Sequence, residues 1–250
     1  DADPPVARTV RILRIEQGTP LLVALGFKGT IHTTRATCDL LAVMLPDSAH
    51  IQEKEAEYAT LDRFRKDMDR RDKARGLPPR DIAPLYTVAQ AQASLRQLNP
   101  VDYDLEIAPH PQVRCTFRDA GHILGSAIVE VWVGEGARRR KIVFSGDLGQ
   151  PARPLLRDPT HIHDADYLVV ESTYGNRDHK SMEATQDELV EAINDPIERK
   201  GGNVIIPAFA VGRTQDILYL LADLTRQARI PNLSVFVDSP MATAATEITY

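Results

Sequence analysis

The sequence predicts an α/β protein, and three observations lead to that fold class. Residues 113–149 read as a meander of three strands with short connections. Residues 167–237 then alternate short apolar runs with helical patterns, which is typical of a parallel α/β layer with its functional loops at the strand ends. The composition, 43% hydrophobic and 26% charged, is ordinary for a soluble globular protein of this length.

The central meander is the clearest part of the chain. Residues 113–117, 127–133 and 141–145 are rich in β-branched and aromatic side chains, which favour strands. Residues 134–136 (Gly-Glu-Gly) separate the last two segments and predict a hairpin. The residues just before the second strand and just after the third should therefore lie at the same end of the sheet.

His122 and Asp147 occupy those two places, and each is flanked by glycines that let the backbone turn sharply. An imidazole and a carboxylate at one strand edge are ligand types that suit a metal ion, so they suggest half of a metal site. A surface histidine beside an ordinary Gly-Asp turn is the alternative. Spacing alone leaves both interpretations open.

The segment before the meander predicts helices and one short strand. A helix ends near residues 21–24 and is closed by Gly26, and a short strand follows over residues 27–32. Thr34 can cap a second helix that runs through Met44 and stops at Pro46.

A strongly charged stretch follows over residues 49–75 and predicts one or two solvated helices. Tyr58, Leu61, Phe64 and Met68 stand at helical spacing, so we expect them to face the body of the protein. The arginines and lysines of its second half are either a solvated face or a surface for phosphates. A further helix is predicted from Thr87 to Leu98.

The second half predicts alternating strands and helices. Residues 167–170, 203–206 and 233–237 are apolar runs, as expected of strands covered on both faces. Helices are predicted over 183–193 and 217–224.

Charge and cysteine content exclude several classes of protein. The formal net charge of −5 gives no global attraction to nucleic acid, so polyanion binding would need local basic surface. No apolar run approaches the roughly 18 residues of a membrane span, and no signal core is present, so we expect no membrane partner and a cytoplasmic location. Cys38 and Cys115 have no paired spacing and predict free, buried thiols.

Five strings of the sequence resemble successive signatures of one enzyme family. They are AGHILGSA at 120–127, FSGDLG at 144–149, ESTYG at 171–175, PAFAVGR at 207–213 and VDSPMA at 237–242. DSAHIQE at 47–53 resembles a sixth. In content and order they are similar to the β-CASP branch of the metallo-β-lactamase superfamily, from about Pro20 onward.

The resemblance implies a metallo-β-lactamase αββα sandwich that runs into a partial β-CASP α/β domain. Residues 1–175 would form the first domain and 176–250 the beginning of the second. Such proteins hold two zinc ions in a cleft and cut RNA by endo- or 5′-exonuclease action. Two adjacent dications lower the pKa of a shared water and stabilise charge on an attacked phosphate.

The resemblance also implies roles for the residues that match the family's motifs. His122 would be a zinc ligand, Asp147 the carboxylate that bridges both metals, and Glu171 an acidic residue that supports the site. RNA would be bound by Ser172, Thr173, Tyr174, Arg213 and His50. Arg213 opens a helix whose positive end suits a phosphate. For His50 a plain surface position beside a capping residue is an equal alternative.

The chain departs from the family pattern in its metal ligands. The main motif, H-x-H-x-D-H, should lie near residues 10–15, yet no histidine precedes His32. The opening strands are expected before Asp1 and the later histidine motifs beyond Tyr250. His161 and His163 do not replace the motif, because the spacing of the following aspartates is wrong, the final histidine is missing and the segment is a proline-rich connection.

Two hypotheses remain. The chain is the central part of a zinc-dependent ribonuclease and is catalytically incomplete by itself, or it is a metal-free relative that acts as an RNA- or partner-binding scaffold. A site with two protein ligands should hold zinc weakly. The patterns leave a homodimer open.

Overall fold

The computed structural model describes residues 15–65, 83–178 and 180–250. Their contacts divide the chain into two compact units, Asp1–Val101 and Asp102–Tyr250. This is an α/β protein with mixed sheets and helices, as the sequence predicts. The division into domains at residue 175 that the family resemblance implies stays a prediction.

The first unit packs helices against a small parallel sheet. Its described elements are α1 (Ile15–Ala24), β1 (Ile31–Thr34), α2 (Arg35–Arg65), α3 (Val88–Leu95) and β2 (Leu98–Val101). Strands β1 and β2 pair in parallel. Strand β2 begins at Leu98, where the sequence predicts the end of a helix. The sequence did not predict this strand because its four residues include a proline and have few strand-favouring side chains.

Helix α2 continues through Pro46, so the predicted stop there is wrong. The predicted start is confirmed, because the backbone N–H of Thr37 donates to Thr34 Oγ1 over 3.3 Å. An internal proline costs a helix about 3 kcal/mol. Leu41 and Leu45, which precede Pro46, are buried and pack with Tyr86. Burial of each leucine contributes about 1.5 to 3 kcal/mol, which offsets the proline.

The outer half of α2 does not face the body of the protein in the way its spacing predicts. Tyr58 is 68% exposed and Leu61 is 49% exposed. The side chain of Phe64 and all of Met68 lie outside the described part of the chain. Helical spacing identifies a common face but cannot say whether another element covers it.

The second unit contains a sheet of five strands in the order β3-β4-β5-β6-β7. These are β3 (Glu106–His110), β4 (Val113–Asp119), β5 (Ala127–Val133), β6 (Arg140–Phe144) and β7 (Tyr167–Val169). The predicted meander is confirmed: β4 pairs antiparallel with β5, and β5 with β6. The sequence did not predict β3. The meander brings the end of β4, the start of β5 and the end of β6 to one end of the sheet.

Apolar residues pack on both faces of this sheet. Val113, Cys115 and Val131 form a buried cluster on one face. Ile128 and Val143 alternate with those positions and belong to a second cluster on the other. The meander is therefore a central element of the unit and not an edge ribbon.

A network of charged side chains crosses the same sheet. The Glu130 carboxylate is buried, and it accepts hydrogen bonds of 2.6 Å from Arg118 Nε and from Lys141 Nζ. Asp104 lies 2.7 Å from Arg118, and Asp164 lies 3.0 Å from Lys141. Burial by itself raises the pKa of Glu130, but the bonds from Lys141 and Arg118 outweigh it and hold that pKa below its ordinary value. The network keeps this carboxylate charged inside the sheet.

The last part of the chain is more helical than predicted. Helices α4 (Met182–Lys200), α5 (Arg213–Arg226) and α6 (Pro240–Thr249) confirm two predicted helices and add a third. Residues 203–206 and 233–237, which belong to the described part, are not strands, so these two predictions are wrong. Strand β7 is confirmed and runs parallel to β6, but its side chains are 54–61% exposed, so the predicted cover on both faces is not there.

Two predictions from composition can be compared with the structure directly. Cys38 and Cys115 are free cysteines, the first half-buried and the second buried, and burial raises the pKa of Cys115 to about 11. Among the residues that the structure describes, no helix has both the length and the apolar character needed to cross a membrane.

Candidate functional site

The loop that carries His122 is folded by a serine. Ser126 Oγ accepts hydrogen bonds from the backbone N–H groups of His122 (3.1 Å) and Ile123 (3.3 Å). Gly121 adopts a φ of 61°, and its N–H donates to the Asp119 carboxylate over 2.9 Å. These bonds satisfy the backbone of a tight loop, and the His122 side chain is left exposed at its surface.

The loop that carries Asp147 lies directly against the His122 loop. The N–H of Gly149 donates to the carbonyl of Ala120 over 2.8 Å. A Cβ atom built on Gly149 would lie 1.6 Å from the carbonyl oxygen of Gly121, so no larger residue fits in this arrangement. The predicted meeting of the two loops at one end of the sheet is confirmed, and Asp147 is also exposed.

Glu171 ties the end of β7 to the same place. Its carboxylate accepts hydrogen bonds from the backbone N–H of Leu148 and, over 2.7 Å, from Thr173 Oγ1. Its own N–H donates to Ser145 Oγ over 3.1 Å. The bond from Leu148, followed by that from Thr173, lowers the pKa of Glu171, and His122 lowers it slightly further. Glu171 therefore stays ionised beside the two loops.

The residues after Glu171 form an exposed turn. The N–H of Gly175 donates to the carbonyl of Ser172 over 3.1 Å. The Arg177 guanidinium lies 4.7 Å from the centre of the Tyr174 ring, in cation–π range. Ser172, Thr173 and Tyr174 are thus exposed together, and Arg177, which the sequence reasoning missed, adds a positive charge to them.

The start of α5 packs against the His122 loop. Gly212 precedes Arg213, and a Cβ built on it would lie 2.9 Å from the Ile123 side chain. Gln215 is buried and accepts the N–H of Gly212 over 2.7 Å, which closes the first turn. Arg213, the first helical residue, is exposed and follows directly on this contact.

We call the set His122, Asp147, Glu171, Ser172–Tyr174 and Arg213 the rim. Loops from four different parts of the sequence meet there, through the backbone bond from Gly149 to Ala120, the Glu171 carboxylate and the Ile123 side chain. The sequence reasoning did not single out Ser126 and Ser145, whose hydroxyl groups hold the loops. Their only sequence signal is a small polar residue beside a glycine turn.

The structural position of His50 differs from the predicted one. It is an exposed residue in the middle of α2, not at a helix start, so a capping role for its neighbours is wrong. Its neighbour Glu53 instead accepts the N–H of Val88 over 2.9 Å at the start of α3. His50 belongs to the first unit and the rim to the second. Its role in RNA binding stays a prediction.

The metal-binding capacity of the rim can be judged from its donors. A zinc site in a protein normally has three or four protein ligands. Within residues 15–65, 83–178 and 180–250, no three His, Cys, Asp or Glu side chains come together in a way that could hold a metal ion. Positions 10–14, where the family motif was expected, lie outside the described residues. His122 and Asp147 alone do not fit a two-zinc centre.

Comparison with known proteins agrees with the motif strings. No family model matches the chain. It is 32% identical over 223 residues to a protein named ribonuclease TTHA0252 from Thermus thermophilus, an alignment that covers 89% of this chain and 43% of that protein. It is 30% identical over 223 residues to transcription termination factor FttA from Methanosarcina mazei, covering 88% of this chain and 30% of the relative. An RNase J-like protein from Methanocaldococcus jannaschii is 33% identical over 164 residues, covering 64% of this chain and 38% of that protein.

These relatives point to a nuclease family of the β-CASP/RNase J type. The α/β architecture of the chain, with its mixed sheets, is consistent with the metallo-β-lactamase/β-CASP fold that their names suggest. The chain spans less than half the length of each of the three relatives. What the whole proteins do is therefore carried to this chain only as a proposal.

Proposed function

We propose that this chain provides the RNA-binding rim of a zinc-dependent ribonuclease of the endo- or 5′-exonuclease type, acting in the cytoplasm. His122 and Asp147 would be two of its zinc ligands, with Asp147 the bridging carboxylate. The observation that carries the proposal is the direct backbone contact between their loops, from Gly149 N–H to the Ala120 carbonyl at 2.8 Å. The remaining donors would have to come from residues other than those described.

Among the other rim residues, one would orient the proposed metal ligands and the rest would contact RNA. Glu171 accepts a hydrogen bond from the Leu148 N–H, so its carboxylate would orient the Asp147 loop. The exposed hydroxyl group of Ser172 and the Arg213 guanidinium suit phosphate oxygens, and Arg213 can bind one through two parallel hydrogen bonds. The Tyr174 ring offers a stacking surface for a base.

A metal-free RNA-binding scaffold is the second proposal, and the donor count supports it. Two protein ligands are too few for a tight zinc site. Exposed phosphate-binding groups at the rim do not depend on metal. Both proposals therefore include RNA as the partner and differ in the role of His122 and Asp147.

Zinc titration of the purified chain separates the two. Zinc ligation predicts that His122→Ala and Asp147→Asn each weaken zinc binding by about tenfold or more relative to the unaltered chain. His163→Ala, which removes an exposed histidine outside the rim, is the matched control and should change nothing. If all four proteins bound zinc with equal affinity, His122 and Asp147 would not be zinc ligands.

RNA binding in the same samples completes the test. A chain that takes up no zinc and still retains labelled single-stranded RNA is the scaffold. A chain that binds zinc through His122 and Asp147 and loses RNA binding on Arg213→Gln supports the ribonuclease rim. Failure to bind RNA in any metal state contradicts both proposals.

A further inference from the structure

A group of arginines lies at the end of the sheet opposite the rim. Arg138 and Arg139 lie in the turn between β5 and β6, Arg140 begins β6, and Arg114 lies on strand β4. Val113, Val133 and Arg140 are in register across the three strands, so these residues share one sheet end. We call the four arginines the arginine patch.

The patch carries more positive charge than its neighbours neutralise. Glu106 lies 3.6 Å from Arg114 and 4.0 Å from Arg139, so one carboxylate serves two guanidinium groups. Glu135 is the other acidic residue of the turn, which leaves an excess of two positive charges among these residues. Arg138 and Arg140 are exposed, and within the described residues neither forms an ion pair. A local excess of this kind attracts a polyanion although the whole chain is acidic.

A tryptophan orders part of the patch. The Arg139 guanidinium lies 5.5 Å from the centre of the Trp132 ring, within the range of a cation–π contact. Trp132 is directly opposite Arg114 in the sheet, so Arg114, Trp132 and Arg139 are neighbours on one surface. Lys141 also approaches Trp132 but is held by Glu130 and Asp164. Lys141 is thus a structural residue. The guanidinium groups of Arg114 and Arg140 also donate to nearby backbone carbonyls, and the four arginines supply the positive charge that remains at this sheet end.

Distance separates the patch from the rim. Strand β5 has seven residues from Ala127, beside the His122 loop, to Val133 at the patch. At a rise of about 3.3 Å per residue the strand spans roughly 20 Å. A ligand that contacts both sites must be an extended polymer.

We propose that the arginine patch binds the phosphate backbone of RNA at a site separate from the rim. The inference rests on the proposed function for its choice of polyanion. Arginine is suited to this partner because its planar guanidinium can bind a phosphate through two hydrogen bonds. A short RNA reaches only one site, and a long RNA reaches both.

The test compares two RNA lengths. Single-stranded RNAs of about 3 and about 30 nucleotides are titrated with the full 250-residue chain over a range of salt concentrations. At about 3.4 Å per stacked nucleotide, the shorter RNA cannot span the distance between the two sites. The variant is Arg138→Gln/Arg139→Gln/Arg140→Gln. The matched control, Lys28→Gln/Arg96→Gln/Arg226→Gln, removes three exposed positive charges from other places. Circular dichroism and thermal melting establish that both variants are folded.

The patch variant should bind the long RNA about tenfold or more weakly, and its salt dependence should lose about one unit of slope per phosphate contact removed. The control should match the unaltered chain on the long RNA. An equal loss in both variants, or no loss in either, would overturn the proposal. Unchanged RNA binding with loss of binding to anionic phospholipid vesicles would assign the patch to a membrane surface and also overturn it.

The same experiment distinguishes failure of the rim proposal from failure of the arginine-patch proposal. If the long RNA binds through the patch while Arg213→Gln has no effect on the short RNA, the rim proposal fails and the patch stands. If the short RNA needs Arg213 and the patch variant is unaffected on the long RNA, the patch fails and the rim stands. If the unaltered chain binds neither RNA, both proposals are wrong.

Discussion

At the scale of single residues, the rim depends on polar side chains that satisfy backbone groups. Glu171 and Ser126 each accept a hydrogen bond from the backbone of a loop that carries a proposed metal ligand. An amide left without its acceptor costs about 1 to 3 kcal/mol when it is shielded from water. These residues set the position of His122 and Asp147 without being ligands themselves.

Glu171→Ala should loosen the Asp147 loop. The change removes the acceptor of the Leu148 N–H, and loss of a bond to a charged acceptor costs about 1.5 kcal/mol. Hydrogen exchange at the Leu148 amide should accelerate by about tenfold, since 1.4 kcal/mol corresponds to a factor of ten. Glu191→Ala, at an exposed position on α4, should leave that exchange rate unchanged. Equal protection of Leu148 in both variants would show that Glu171 does not hold the loop.

Glu130→Gln should destabilise the fold in a way that depends on pH. Removing a buried charge that two cations share costs about 3 kcal/mol at neutral pH. The pKa of Glu130 is lowered in the folded state, so its contribution is present above the unfolded value of about 4.3 and is lost as pH falls through the folded pKa. Urea unfolding at several pH values measures the difference in the free energy of unfolding between the unaltered chain and the variant.

The matched change is Glu57→Gln, which breaks an exposed pair with Lys54 on α2. Exposed pairs contribute about 0 to 1 kcal/mol, so little change in the free energy of unfolding is expected. A Glu130→Gln effect that is equally small, or that does not shrink below about pH 4, would contradict a stabilising role for the network.

At the scale of elements, the His122 and Asp147 loops of the rim follow different strands and touch through backbone atoms. Gly149 lies so close to Gly121 that a side chain has no room. The meander delivers both loops to one end of the sheet, and the glycines allow the last few ångströms of approach.

Gly149→Ala should therefore separate the two loops. The added Cβ would meet backbone atoms and not the end of a flexible side chain, so the segment must shift. The free energy of unfolding should fall by at least about 2 kcal/mol. Thermal and urea unfolding measure it, with Gly202→Ala as the control, because no atom lies within 4 Å of a Cβ built there. Similar stability of the two variants would mean that the loops are not in contact.

At the scale of the whole molecule, the described surface carries several large apolar side chains. Ile205, Phe236 and Phe209 are 90%, 88% and 83% exposed, and the side chains of β7 are more than half exposed. Exposed apolar segments with a free strand edge favour association. This property belongs to the 250-residue chain as a unit and not to one site.

Ile205→Lys/Phe236→Lys should reduce self-association of the isolated chain. Both side chains are exposed, so the charges cost little folding free energy while they weaken apolar contacts between molecules. Sedimentation velocity at several concentrations should show a larger monomer fraction with an unchanged melting temperature. Gln92→Lys/Asn232→Lys adds equal charge at exposed polar positions. An equal gain in monomer from this control would attribute the effect to net charge alone.

Local sequence patterns predicted the secondary structure correctly where residues that are close in sequence also interact in the fold. The meander, the Thr34 cap and the helix after Gly212 follow from propensity, turns and capping, which act over a few residues. Sequence patterns gave wrong predictions where contacts with residues distant in sequence determine the local structure. Pro46 stays helical because Leu41 and Leu45 are buried against Tyr86, and residues 203–206 read as a strand although the described structure pairs them with no neighbour.

The sequence by itself determined the α/β class, the meander and the placing of His122 and Asp147 at one sheet end, because hairpin geometry makes those consequences local. The tertiary structure alone decided that Glu171 closes onto the Asp147 loop and that the start of α5 packs on Ile123. Hairpin geometry already places residues 138–140 at the opposite end, and the tertiary structure added that Arg114 and Arg139 share the Glu106 carboxylate there. These are contacts between segments that are distant in sequence, and no pattern within one segment specifies its partner.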